Sequence, residues 1–284
     1  MVKTYRPKSW KEALDIRANE EVIPIAGGTD LMVKYKAPTG VPPKFNKPLL
    51  FLSGIKELKL VYEDESFVYI GAGCTLNSLL KEELVPYDLK VAIENMASPG
   101  IRNIATIGGN IINASPAGDT LPSLYARSAL CILENIESED QIPIYNLIKG
   151  PGKTVLGDYE ILKAIAIPKT FYKKVFYRKL GTRRAMSLSK LSILILHGSE
   201  HPVMVDTRIA IGAVAPTVVH SLDNEKFIFK NRKWLGKVLP DIINRYKALI
   251  NPITDQRSTA EYRKRTALRL LEYYLGEIAH EYEK

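Results

Sequence analysis

Apolar and polar positions along the chain follow three successive patterns. The N-terminal segment is extended and leads into a helix over 9–16, with Ser9 as N-cap and Glu12 at the capping-box position. A short apolar run over 21–26 reads as a buried strand that enters Gly27-Gly28. A helix over 30–36, a proline-rich loop over 37–48 and a strand over 49–52 follow. In the middle, 58–62 and 67–73 form a hairpin around 63–66, Thr75 caps a helix through 82, and a helix over 89–97 stops at Ser98-Pro99-Gly100. A helix over 119–126 carries Asp119 at its start, where the macrodipole favours a carboxylate. Strands over 130–134, 141–144 and 160–167 complete this second α/β unit. The last third reads as three strands (174–179, 191–197, 207–214) followed by two helices (234–249, 258–282). Strands first and helices after them predict an α+β layer on an antiparallel sheet. The expected divisions are 1–57, 58–168 and 169–284.

Length and composition narrow the class. A chain of 284 residues exceeds one small core, and 46% apolar with 25% charged residues is ordinary for a globular protein. No apolar run approaches the roughly 20 residues of a membrane span. The first residues lack an apolar stretch after their positive charges, so a secretory leader is not expected and a cytoplasmic location is. The net charge of +9 comes from 40 basic and 31 acidic residues spread along the chain. Arg263-Lys264-Arg265 beside Glu261 and Glu272 reads as a solvated helix face. No aromatic-rich basic strand or recognition helix accompanies the charge, so no nucleic-acid partner is expected; a docking surface for an acidic subunit fits better. Cys74 and Cys131 both sit in apolar surroundings, the profile of buried thiols in a reducing compartment. An iron–sulfur cluster needs about four cysteines, so this chain cannot hold one alone and any electron transfer through such a cluster needs a partner.

Several motifs fail on inspection. Gly150-Pro151-Gly152-Lys153-Thr154 resembles the end of a phosphate loop, but Leu147 occupies the first glycine position. Gly71-Ala72-Gly73 is the front half of a dinucleotide fingerprint, with Leu76 at the third glycine. His197-Gly198-Ser199-Glu200-His201 reads as a chance pair at a hairpin tip. No catalytic residue and no metal site is assigned.

Two glycine pairs carry the chemistry instead. Ile23-Pro24-Ile25-Ala26-Gly27-Gly28-Thr29-Asp30-Leu31 and Asn103-Ile104-Ala105-Thr106-Ile107-Gly108-Gly109-Asn110-Ile111 each run apolar, Gly-Gly, polar, apolar. Adjacent glycines permit positive φ and leave no Cβ in the way, so successive amides can converge on an anion. Two such turns predict a cradle for a long ligand with a diphosphate at its middle. After the second pair, Asn110 and Ser115 offer donors, and Asp119 offers an acceptor for hydroxyls of a sugar or ribityl chain.

These two segments, with Ala114-Ser115-Pro116 and Asp119, closely resemble the FAD-binding (medium) subunit of molybdenum hydroxylases. That family includes subunits of carbon monoxide, xanthine and nicotinate dehydrogenases and of aldehyde oxidoreductases. Tyr177-Arg178-Lys179-Leu180-Gly181, Arg208-Ile209-Ala210-Ile211-Gly212-Ala213 and Ser258-Thr259-Ala260-Glu261-Tyr262-Arg263 resemble its C-terminal domain. The resemblance implies a vanillyl-alcohol-oxidase-type (PCMH-type) FAD fold over 1–168, followed by a three-stranded antiparallel sheet with helices. It implies that Ile25, Ala26, Gly27, Gly28, Thr29, Asp30 and Leu31 wrap the diphosphate from one side. Thr106, Gly109, Asn110, Ser115 and Asp119 would hold it and the ribityl chain from the other. Val155 and Leu156 stand where apolar residues pack on the flavin, although core packing accounts for that pair equally well. Lys179 matches a lysine near the isoalloxazine ring, where a positive charge favours reduced, anionic flavin.

The implied function is electron transfer within a heterotrimer. A large subunit would carry molybdopterin and a small one two [2Fe–2S] clusters, and this chain would pass electrons from FAD to NAD+, a quinone or another acceptor. The loop after Lys179 departs from the NAD-reducing animal enzymes: they carry acidic residues where this chain has Arg183-Arg184-Ala185-Met186. The chain also lacks the cysteine-rich insertion of the benzoyl-CoA-reducing branch. The competing expectation is a non-catalytic assembly protein on the same fold that has lost flavin.

Overall fold

A computed structural model of the chain describes residues 2–183, 186–199 and 207–282. Its contacts divide the chain into two units that interleave in sequence. The first comprises Met1–Pro86, Ser98–Ala114 and Ser128–Pro168; the second comprises Tyr87–Ala97, Ser115–Arg127 and Lys169–Lys284.

In the first unit, a parallel sheet takes the order Thr4–Tyr5, Leu49–Phe51, Ile23–Ile25. The helix Trp10–Asn19 buries Trp10, Ala13 and Leu14, which join a cluster with Leu50, Leu52, Ile55 and Leu58. Its cap is as expected at Ser9, whose Oγ accepts from Glu12 N–H at 3.2 Å, but the Glu12 carboxylate reaches one residue further back, to Lys8 N–H. A five-stranded antiparallel sheet follows in the order Val61–Glu63, Phe67–Gly71, Ile161–Pro168, Leu130–Glu134, Glu139–Pro143. The expected hairpin around 63–66 is present. Its first strand is shorter because Glu57–Lys59 forms a 3-10 turn. Both cysteines lie here as buried free thiols. Lys153–Thr154 pairs with Ile148–Gly150 as a small hairpin and leads into no helix, so the phosphate-loop likeness ends there.

The second unit is built on a four-stranded antiparallel sheet: Tyr172–Leu180, Leu191–Ser199, Thr207–Gly212 and the two-residue Val219–His220. The fourth strand corrects the expectation of three. Leu191, Ile193, Ile195, Ile209 and Ile211 alternate onto one face and pack with Ile242, Tyr246, Leu271 and Leu275 from the helices Leu235–Leu249 and Ala260–Tyr282. On the other face, Gly212 approaches both Ser192 and Pro122, so the short helix Leu121–Ala126 covers that side; all six of its residues are buried. Arg127 then pairs with Asp88 through Nε at 2.9 Å and Nη2 at 2.6 Å, while Ser123 Oγ donates to the same carboxylate at 2.5 Å. These bonds fix Leu121–Ala126 to the helix Tyr87–Glu94.

A helix over Leu222–Lys230 also belongs here, capped by Ser221 Oγ and carrying Asp223 and Glu225 in its first turn. Glu225 is fully buried; it accepts from Ile209 N–H at 2.8 Å and pairs with Arg208 at 3.1 Å. Arg263 corrects the reading of 263–265 as a solvated face. Its side chain is 2% exposed and donates to Ala213 O at 3.2 Å and to Asp255 Oδ1 at 2.5 Å. Among the described residues no helix is long and apolar enough to cross a membrane, and no His/Cys/Asp/Glu group could hold a metal ion. His197 lies in a strand and meets Thr207 Oγ1 at 2.8 Å; Glu200 and His201 fall outside the described residues.

Candidate functional site

The two glycine segments meet in the first unit. The strand Ile23–Ile25 delivers the chain to Gly27, where an added Cβ would fall onto the Ile104 carbonyl, 2.8 Å from its carbon and 3.0 Å from Ala105 Cα. No side chain fits between two backbones that close. Gly28 follows with φ of +72°, a left-handed conformation that opens the loop before the helical turn Leu31–Lys34. Among the described residues the amides of Gly27, Gly28, Thr29 and Asp30 donate no hydrogen bond. Four consecutive donors left unused in a glycine loop are what a phosphate requires.

The second glycine pair differs from the expected turn. Gly108 and Gly109 lie in the first turn of the helix Ile107–Ile112, with Thr106 as N-cap. Their amides are already used: Gly108 N–H donates to Ala72 O at 2.9 Å and Gly109 N–H to Thr106 Oγ1 at 3.1 Å. Neither has positive φ. Gly108 is required by packing, because a Cβ would meet Ala72 Cβ at 2.6 Å. Thr75 and Thr106 form an antiparallel bridge, so both caps are held by one strand-like contact. The first pair therefore supplies donors, and the second supplies a fixed wall with a bare, exposed Gly109.

Other candidates of this unit are more open. Val155 is 47% exposed, which argues against core packing for it; Leu156 is intermediate. Ile104, beside the glycine contact, is 56% exposed.

Ser115, Asp119 and Lys179 belong to the second unit. Asp119 departs from the reading as a free acceptor and as a helix cap. Its Oδ2 accepts from Lys179 Nζ at 2.7 Å and its Oδ1 from Ser189 Oγ at 2.5 Å, while Thr120 takes the N-cap position. Burial pushes the Asp119 carboxyl above its ordinary range, and the Lys179 charge opposes that shift. Lys179 also donates to Asn95 O at 2.8 Å, so strand, loop and helix all orient the ammonium. Ser189 and Asn95 were not foreseen, since nothing local in the sequence marks them. Two residues before Lys179, the Tyr177 hydroxyl is buried and has no hydrogen-bond partner among the described residues. An orphaned hydroxyl beside an oriented ammonium fits a polar ligand group. Ser115 accepts from Ala117 N–H at 3.3 Å. Arg184 and Ala185, in the loop that departs from the animal enzymes, lie outside the described residues.

Fold and glycine loop together define a nucleotide-cofactor protein with a separate helix-covered sheet unit. The family model described as the FAD binding domain in molybdopterin dehydrogenase matches residues 1–170, and that of the CO dehydrogenase flavoprotein C-terminal domain matches 176–278. The chain belongs to this family of FAD-binding oxidoreductase subunits. It is 29% identical to the glyceraldehyde dehydrogenase medium chain of Sulfolobus acidocaldarius, over 91% of this chain and 92% of that one. It is 27% identical to the carbon monoxide dehydrogenase medium chain of Afipia carboxidovorans, over 93% and 91%. Among solved structures, a chain of the carbon monoxide dehydrogenase of Hydrogenophaga pseudoflava superimposes with a TM-score of 0.81 at 23% identity, over 96% of this chain and 95% of that one. A chain of quinoline 2-oxidoreductase from Pseudomonas putida shares the fold with a TM-score of 0.82 at 17% identity, over 100% and 99%.

Proposed function

We propose that this chain is the electron-transfer subunit of a three-part molybdenum hydroxylase and holds FAD by the residues described above. The observation that carries the reading is the backbone contact of Gly27 with Ile104, beside four unused amides. Gly27, Gly28, Thr29 and Asp30 donate to the diphosphate, with Ala26 leading in and Ile25 and Leu31 flanking them. Thr106, Gly109 and Asn110 form the opposing wall, and Val155 and Leu156 offer apolar surface to the ring. Ser115, Asp119 and Lys179 are the second unit's members of the set; Asp119 and the Asn95 carbonyl orient the Lys179 side chain. When bound, FAD supplies a carrier that is stable with one or two electrons added.

No acid–base group of this chain is needed for that task. Electrons arrive from [2Fe–2S] clusters of a small subunit, fed by a large molybdopterin subunit, and leave to NAD+, a quinone or another acceptor. The two buried thiols support a reducing, cytoplasmic setting. The divisions at 57 and 168 belong to the same reading.

Purified chain supplemented with FAD is expected to show a flavin spectrum at one flavin per chain. Gly109→Val places a branched side chain on the exposed face of the wall, with its Cβ 2.9 Å from the Thr106 Oγ1 that caps the helix, and is expected to abolish that spectrum while far-UV circular dichroism is retained after a small shift of that hydroxyl. Full flavin stoichiometry in the valine variant would overturn the placement. A wild-type chain that takes up no FAD would favour the flavin-free assembly protein.

A further inference from the structure

The positive charge of the chain is not spread evenly. Residues 1–168 hold 18 Lys and Arg against 20 Asp and Glu, whereas 169–284 hold 22 against 11. Within 169–284 the excess falls in two stretches: residues 169–190, with eight Lys and Arg and no acid, and the segment that runs from the end of the helix Leu222–Lys230 through the 3-10 turn Arg232–Trp234 into the helix Leu235–Leu249. From 226 to 247 there are seven cations and one acid, Asp241. Among the described residues, none of Lys226, Lys230, Arg232, Lys233, Lys237, Arg245 and Lys247 makes an ion pair.

Three of these cations are held over aromatic rings: Arg232 over Phe229 at 4.3 Å, Arg245 over Phe227 at 4.1 Å and Lys237 over Trp234 at 4.6 Å. Trp234 itself is 60% exposed. Cations already fixed on rings lose little freedom when a partner arrives, and a rigid, solvent-facing indole is a common anchor of protein interfaces.

We propose that this surface docks the acidic face of a partner subunit, with Trp234 entering an apolar recess there; the proposal rests on the three-subunit reading. A lipid surface fits less well. The apolar stripe of the second helix (Leu235, Val238, Leu239, Ile242, Tyr246) is committed to the core, leaving too little apolar surface to lie in a bilayer interface.

The test is co-expression with a small [2Fe–2S] and a large molybdopterin subunit from the same source, with a tag on the large subunit, measuring how much of this chain is retained as salt is raised. Lys233→Glu with Lys237→Glu, and separately Trp234→Ala, are expected to lower retention at least tenfold, with flavin content and melting temperature of the isolated chain unchanged. Retention equal to wild type overturns the docking site alone. Equal retention together with lost sedimentation on phosphatidylglycerol vesicles overturns it in favour of lipid. A flavin-loaded wild-type chain that is not retained at all removes the three-subunit reading, and this docking site with it.

Discussion

Gly27 and Gly40 separate two reasons for having no side chain. Gly40 has φ of +82° with nothing within 4 Å of a built Cβ, while Gly27 is blocked by the Ile104 backbone. Gly40→Ala is expected to cost about 1 kcal/mol of backbone strain and to leave flavin content intact. Gly27→Ala is expected to lose flavin, read as the ratio of flavin to protein absorbance. Equal flavin content in both variants would contradict the cradle. The thiols give a second residue-scale test. Burial pushes Cys74 up to about 11 and Cys131 up to about 12, from an ordinary value of 9.0. Above pH 9 the unfolded chain therefore releases these protons while the folded chain keeps them, so stability falls as pH rises from 9 toward 12. Each thiol contributes a slope of about 1.4 kcal/mol per pH unit, Cys74 between pH 9 and about 11 and Cys131 between pH 9 and about 12. Urea titrations across that range should show a shallower decline in the Cys74→Ala, Cys131→Ala double variant. The sequence made both thiols legible because their neighbours are apolar. It did not reveal that Asp119 pairs with Lys179 across 60 residues, since long-range pairing leaves no local pattern.

At the scale of elements, periodicity located most strands and helices, and the errors have specific causes. The helix Leu222–Lys230 was legible in Ser221 and the acids after it, yet it is absent from the reading of the last third, which passes from the strand at 207–214 to the helix at 234–249. The second glycine pair was taken for a turn because two glycines usually break a helix; here Thr106 caps a helix in which Gly108 must pass Ala72. Arg263 lay in a run of cations, yet its helical position turns it inward, to the Ala213 carbonyl. Two substitutions probe these elements. Ser221→Ala removes the cap bond to Asn224 N–H and is expected to cost about 1 kcal/mol in urea unfolding. Asp88→Asn leaves the Arg127 guanidinium, 7% exposed, without its counter-charge and is expected to cost about 3–5 kcal/mol. An effect below about 1 kcal/mol would show that the pair is not the fixed point of its two helices.

At the scale of the whole molecule, the order of sheets and helices was readable, but the interleaving of the units was not. Hydropathy tells which residues are buried, not which core buries them. The two family models meet between 170 and 176, whereas Tyr87–Ala97 and Ser115–Arg127 lie within the first model's span and fold with the last third. A fragment ending at 168 would therefore keep Leu121–Ala126, buried along its entire length, without the strands Leu191–Ser199 and Thr207–Gly212 that it covers. Such a fragment is expected to aggregate at concentrations where the full chain is monodisperse by size-exclusion chromatography. The same feature bears on how chains of this kind can be recombined. Joining the head of one to the tail of another at the apparent border would mismatch two inserted segments as well as the visible join, so the halves must change together.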